Sequence, residues 1–389
     1  MMTSLPGRVM RCAVLILTVL VCQSVPVALR ADPPEPFRAV DGLFDADDLK
    51  TLGLTTISGR HTMLYRAPDD GYRFCHHPNL VVFRGRIFCM WSNGLVNEDD
   101  AGQRILYCYT KDGESWSQPE QLTDDQNGQG ICVAAGFHAG DDQLVAYYTT
   151  TGGNNFHPDT CLLARTSDDG LTWSEPQRIA SGFYIESPQR LPGGRLLMAG
   201  EQVGESRDSK RMRFLITNDP QGLTGWRDAV VPQPPPANLK NFGYTEPSFF
   251  LRPGGAVVST LRNYSGFLYT TVSRNNGTTW SRPVQTNYFD STARTSAGNL
   301  PDGTAYLINN AMPERSNRSL LTLALSKDGI AFDRAWIIRS EPTTMRHKGR
   351  SKGNGWQYPH AMAWKGRLYV AYSINKEDVA VTGISLTEL

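Results

Sequence analysis

A short polar turn closed by an aromatic residue comes back along this chain at nearly even steps. YTKDGESW ends at Trp116, TSDDGLTW at Trp173, SRNNGTTW at Trp280 and LSKDGIAF at Phe332, with a looser copy, TNDPQGLTGW, ending at Trp226. The steps are 57, 53, 54 and 52 residues. One copy is only a β-turn with a ring to pack beneath it. A series at this spacing demands a repeated unit, and a four-stranded sheet buries both faces only by stacking on its neighbours. A ring of such sheets is a propeller.

A second element recurs between those turns: an apolar strand, a glycine-bearing turn and another apolar strand. It reads NLVVFRGRIFCMWS, FHAGDDQLVAYYTT, QRLPGGRLLMAGE, FFLRPGGAVVSTLR, GNLPDGTAYLINN and MAWKGRLYVAYS, six copies in all. Val, Ile, Tyr and Phe dominate these segments and no helical period is sustained. The expected fold is all-β, a six-bladed β-propeller over residues 32–389. Its closing blade joins the C-terminal VAVTGISLTEL to a strand from near residues 54–66. The one segment expected to be helical is FDADDLKTLG (44–53).

Residues 1–31 read as an export signal. Arg8 and Arg11 precede the apolar run AVLILTVLV, and a small-residue exit ends at Ala31 before DPPEP. That run is too short for a permanent span, so no membrane span is expected in the mature chain, which is placed outside the cytoplasm, secreted or periplasmic. Val21 is bulky for the position before a lipidated cysteine, which argues against an anchor through Cys22. Without the signal the chain carries 36 basic and 38 acidic residues, since Arg8, Arg11 and Arg30 leave with it. No basic block exists, and a nucleic-acid partner is not expected.

Cys75, Cys89, Cys108, Cys132 and Cys161 follow the signal. The odd count leaves at least one thiol unpaired, and no CxxC spacing suggests zinc. Cys75 and Cys89 flank one hairpin, where either a disulfide or two buried thiols would fit.

The turn pattern is the Asp box, and its recurrence in a six-bladed propeller resembles the sialidase superfamily over essentially the whole mature chain. Only TSDDGLTW keeps the aspartate at its usual place; Lys111, Asn275 and Lys327 stand there in other copies. The resemblance implies a tyrosine nucleophile, a glutamate that takes its proton, an aspartic acid that protonates the leaving oxygen, and arginines that clamp a substrate carboxylate. A neutral phenol approaches an anionic sugar without like-charge repulsion, and a guanidinium binds a carboxylate through paired hydrogen bonds.

Carried over residue by residue, the resemblance makes Tyr358 in GWQYPHAM the nucleophile and Glu246 in GYTEPSFF its base. Arg262 is the second clamp arginine. Asp99 or Asp100, in NGLVNEDDAGQ, is the acid/base, with Glu98 also in that loop. Arg294 in ARTSAGNL is the candidate for the third clamp arginine. The first arginine is replaced: CHHP puts His76 where the family has Arg. The starts of the other inner strands add His138, Glu186 and His360 as substrate-binding candidates.

The activity implied is an exo-acting, retaining hydrolysis of a terminal acidic sugar, sialic acid among them, from a glycan or polysaccharide. No cofactor or metal is required, and a monomer is expected. Two alternatives stand beside it: a polysaccharide lyase or rhamnosidase working on uronic-acid polymers through His and Tyr, and a non-catalytic glycan-binding propeller.

Overall fold

The computed structural model describes residues 1–3, 35–123, 129–152, 157–203, 211–234 and 245–389. The chain divides into two compact units, Met1–Pro33 and Pro34–Leu389, and the fold described here is that of the second. Residues 4–34, which hold Cys22 and all but the first three residues of the expected export signal, lie outside the described residues. Among the described residues no helix is long and apolar enough to cross a membrane.

Six four-stranded sheets make the blades of a β-propeller, and a two-stranded parallel ribbon (Arg38–Ala39 with Ala331–Phe332) ties the N-terminal lead-in to the fifth blade. The inner strands are Phe74–Phe83, Cys132–Ala139, Gln189–Arg190, Ser248–Leu251, Ser296–Asn299 and Trp356–Trp364. Each blade runs outward antiparallel from its inner strand, and consecutive blades bury their faces against each other as the period requires. Ring closure uses chain ends far apart in sequence. Arg60–Tyr65 pairs antiparallel with Asp378–Ser385, completing the sixth blade. The expected closure through residues 54–66 is what the structure has.

Two local expectations are corrected, and the alternative left open at Cys75 and Cys89 falls to buried thiols. Residues 44–53 form consecutive turns rather than a helix, because Asp48 binds the N–H groups of Lys50 and Thr51 and ends the coil locally. Cys75 and Cys89 do not pair; Cys75 sits opposite Asn93 and Cys89 opposite Leu80, several rows apart on one hairpin. All five described cysteines are buried thiols. The Asp boxes are also more regular than their spelling. The aspartate that closes the turn is the one just before glycine, Asp112, Asp169 or Asp328, and each accepts two backbone N–H groups from the next turn of chain. Lys111 and Lys327 are therefore neighbours of the working aspartate, not replacements for it. Asn275 and Asp219 do the same work in the two remaining copies.

The tryptophans then pack beneath the turns. Trp280 meets Phe214 edge-on at 4.8 Å between ring centres and lies 5.6 Å from Phe249, stapling the third blade to the fourth.

Candidate active site

Antiparallel inner strands would normally send alternate side chains into the neighbouring blades. In three blades the start of the inner strand is bulged instead, with the register slipping between His76 and Asn79, between Ala134 and Gly136, and between Gln357 and His360. A bulge inserts one residue and re-aims the side chains beside it. His77 and Tyr358 take φ of 54° at these bulges, and Glu246 takes 38° just before its own inner strand. All three side chains turn to the same mouth of the axial channel and line one cavity of about 850 Å³.

Tyr358 is 4 % exposed, and its hydroxyl donates to Glu246 Oε1 at 2.6 Å. Arg262 Nη1 donates to the same phenol oxygen at 2.6 Å and forms an ion pair with Glu246 Oε1. The three groups form a closed triangle of hydrogen bonds. Burial pushes the Tyr358 phenol well above its usual range, with Arg262 opposing that push. Arg262 keeps its charge: burial works against it, but Glu246 and Tyr358 push the guanidinium pKa well above its usual value. The phenol is therefore protonated here, with a carboxylate and a guanidinium both in contact with its oxygen.

Around this triangle the structure brings in groups that the sequence reading passed over. Arg318 lines the cavity with its guanidinium 5.4 Å from the centre of the Tyr358 ring, and it donates to Gln357 Oε1. Lys376 also lines it, with Nζ 5.6 Å from that ring centre and 2.7 Å from each oxygen of Glu98. Arg318 follows the second strand of the fifth blade and Lys376 the second strand of the sixth. Chain leaving a second strand emerges at the same mouth as the start of the first. Arg262 and the Glu98–Asp100 loop likewise follow the second strands of the fourth and first blades.

Arg294 is corrected as a clamp residue. It is fully buried, and its Nε and Nη2 grip Glu186 Oε1 and Oε2, each at 2.8 Å. The guanidinium is ion-paired with that carboxylate, and Arg294 does not line the cavity. Glu186 belongs with it, facing a separate 390 Å³ cavity deeper in the channel, where His360 also lies. His360 Nδ1 accepts the Leu80 N–H at 3.1 Å, and burial holds its pKa down to about 3. His138 stands at the hairpin end of its strand, with Nε2 2.8 Å from the Pro220 carbonyl, at the far end from Cys132 and the mouth. Glu186, His138 and His360 are thus not brought to the Tyr358 cavity.

His76 lies directly under the tyrosine, ring centres 3.8 Å apart, with Nδ1 3.0 Å from Ser373 Oγ and Nε2 3.5 Å from Glu98 Oε1. His77 approaches edge-on at 5.3 Å with Nδ1 3.2 Å from Ser92 Oγ. Burial, reinforced by Lys376, Arg294 and other nearby cations, keeps both imidazoles well below 6.5 and so neutral. Ligating atoms of His76, His77 and Glu98 all fall within 4.8 Å of one another. They do not fit a metal ion, because an ammonium already holds both Glu98 oxygens and the surrounding field at His76 is positive.

The acid loop separates its three carboxylates. Glu98 is held by Lys376. Asp100 accepts from Asn97 at 2.8 Å and from Arg350 at 2.9 Å, contacts that keep it ionised and lower its pKa. Asp99 lines the cavity with Oδ1 3.4 Å from the neutral Gln103 amide. Asp100 also lines the cavity, where its ion pair with Arg350 makes it a poor proton donor.

A family model described as a BNR repeat-like domain matches residues 85–370. No curated protein matches the sequence. Among solved structures, a sialidase superposes with a TM-score of 0.65 at 18 % identity, covering 91 % of this chain and 35 % of its own. This chain thus spans about a third of that protein's length. The NanB sialidase from Streptococcus pneumoniae superposes with a TM-score of 0.62 at 13 % identity, over 84 % of this chain and 71 % of that one. For the Trypanosoma rangeli sialidase in complex with sialic acid the values are 0.61 and 12 %, over 85 % and 60 %. At these identities the likeness is one of fold.

Proposed function

This chain belongs to the BNR repeat-like domain family and has a sialidase-like propeller, and from that premise we propose that it is an exo-acting glycoside hydrolase releasing a terminal acidic sugar with retention. The observation that carries the reading is the Tyr358–Glu246–Arg262 triangle, buried at the base of a cavity rimmed by further cations.

In this reading the Tyr358 oxygen attacks the anomeric carbon while Glu246 takes the phenolic proton. Asp99 gives its proton to the leaving oxygen, then draws a proton from the water that cleaves the glycosyl–tyrosine bond. Arg262 and Arg318 face the substrate carboxylate, Arg318 in the part first expected of Arg294. His76 supports the tyrosine ring from below. The proposal includes export, which rests on the sequence of residues 1–31, and a glycan or polysaccharide as the partner.

The test is a screen of sugars released from mixed glycans and from uronic-acid polymers. Wild-type protein is expected to release an acidic monosaccharide, and Tyr358→Phe to lose at least about a thousandfold in rate. Equal rates for the two would remove the nucleophile and with it the reading. A product carrying a new ultraviolet-absorbing double bond would replace hydrolysis by a lyase reaction.

A further inference from the structure

Cys75-His76-His77-Pro78 leaves a charge missing. Both imidazoles are buried and neutral, so the start of the first inner strand offers no cation to an anionic ligand. Lys376 stands at the gap. Its carbonyl accepts the Cys75 N–H at 2.9 Å, which ties its backbone to the residue preceding His76. Its side chain crosses to the cavity that holds Tyr358, Glu246, Arg262 and Arg318. Glu98 holds the ammonium at 2.7 Å through each carboxylate oxygen, and Glu98 in turn lies 3.5 Å from His76 Nε2. An ammonium has three N–H donors, so this grip leaves one for a ligand.

The backbone marks the position as well. Asn375 and Lys376 turn the last hairpin of the sixth blade with φ of 58° and 56°. Such a turn favours glycine in its second left-handed place. A lysine kept there, 4 % exposed, retains a side chain at the expense of backbone comfort.

We propose that Lys376 is the specificity-determining cation for the substrate carboxylate, supplying from the sixth blade the charge that the first blade lacks, with Glu98 as its positioning partner. The proposal rests on the cavity taking an acidic sugar. An ammonium is a point charge without the planar fork of a guanidinium. The site should therefore select for negative charge more than for the plane of the carboxylate, and accept hexuronic acids as well as sialic acid.

Calorimetric titration separates these claims. N-acetylneuraminate, glucuronate and galacturonate are each compared with their methyl esters on wild-type protein, Lys376→Met, Lys376→Arg and the double variant Lys376→Met/Glu98→Gln. Wild type is expected to prefer at least one acid over its ester by about tenfold or more. Lys376→Arg should keep that preference and Lys376→Met reduce it about tenfold or more, Arg262 and Arg318 remaining in place. The double variant, which buries no unpaired carboxylate, should show the same reduction and covers the case of a misfolded single variant. A preference undiminished in the double variant, or none in wild type, overturns the proposal. Turnover that depends on Tyr358 without any preference for acid would sink the role of Lys376 and spare the hydrolase. A preference that depends on Lys376 without turnover would do the reverse.

Discussion

Tyr358, His77 and Glu246 hold backbone angles that residues with side chains seldom adopt. A left-handed φ costs an L-residue about 1–2 kcal/mol, and the fold tolerates it where three side chains meet around one point. The hydrogen bond between Tyr358 and Glu246 then has a measurable consequence. Glu246→Gln keeps the shape and a hydrogen-bonding oxygen but cannot take the proton, so kcat should fall by about 10²–10⁴ with the fold intact. An unchanged kcat would show that the phenol loses its proton by another route. Tyr358, Glu246 and Arg262 were legible in the sequence because each sits at a fixed offset from a strand. Arg318 and Lys376 were not, because no motif marks them: like Arg262 they follow second strands, but the resemblance assigned no residue at that place in the fifth and sixth blades. Arg294 misled for the opposite reason: its offset is right, but Glu186 from the third blade consumes its charge.

At the scale of the element, the repeated turn carried more information than its letters. Spelling alone made Lys111 and Lys327 look like losses from the motif. In space Asp112 and Asp328 close their turns as Asp169 does, because the hydrogen bonds depend on the step from aspartate to glycine. Blade number, hairpin positions and closure were all readable, since each follows from alternation and glycine-bearing turns. The bulges were not read, although Pro78 and Pro359, which cannot donate to a ladder, and Gly136 inside a strand each carry a local signal for one. The short turn-rich lead-in at 44–53 escaped as well, where Asp48 competes with the backbone for its own N–H groups.

The whole molecule stores neutral histidines in its interior. His76, His77, His138 and His360 all have pKa values lowered chiefly by burial. The unfolded chain takes up protons on these groups below about pH 6.5, whereas the folded chain does not. Their contribution to stability is therefore complete above that pH and drains away as pH falls, down to about 3 for His360. Asp290, raised by burial to about 7, works the other way, as do the raised Glu186 and Asp378. Between pH 7 and 5 four buried histidines outnumber the three raised carboxyl groups, so Tm should drop. A flat or rising Tm over that interval would mean that the histidines are protonated inside the fold.

The propeller assembles its chemistry from four of its six blades, and the central claim is that a sugar becomes bonded to the phenol at their meeting point. A fluorinated acidic glycosyl fluoride slows the second step and lets the adduct be caught by peptide mass spectrometry. The expected result is one glycosyl unit on the peptide containing Tyr358, absent in Tyr358→Phe. Turnover of the same compound with that peptide unmodified, or with the sugar on another residue, would contradict the mechanism.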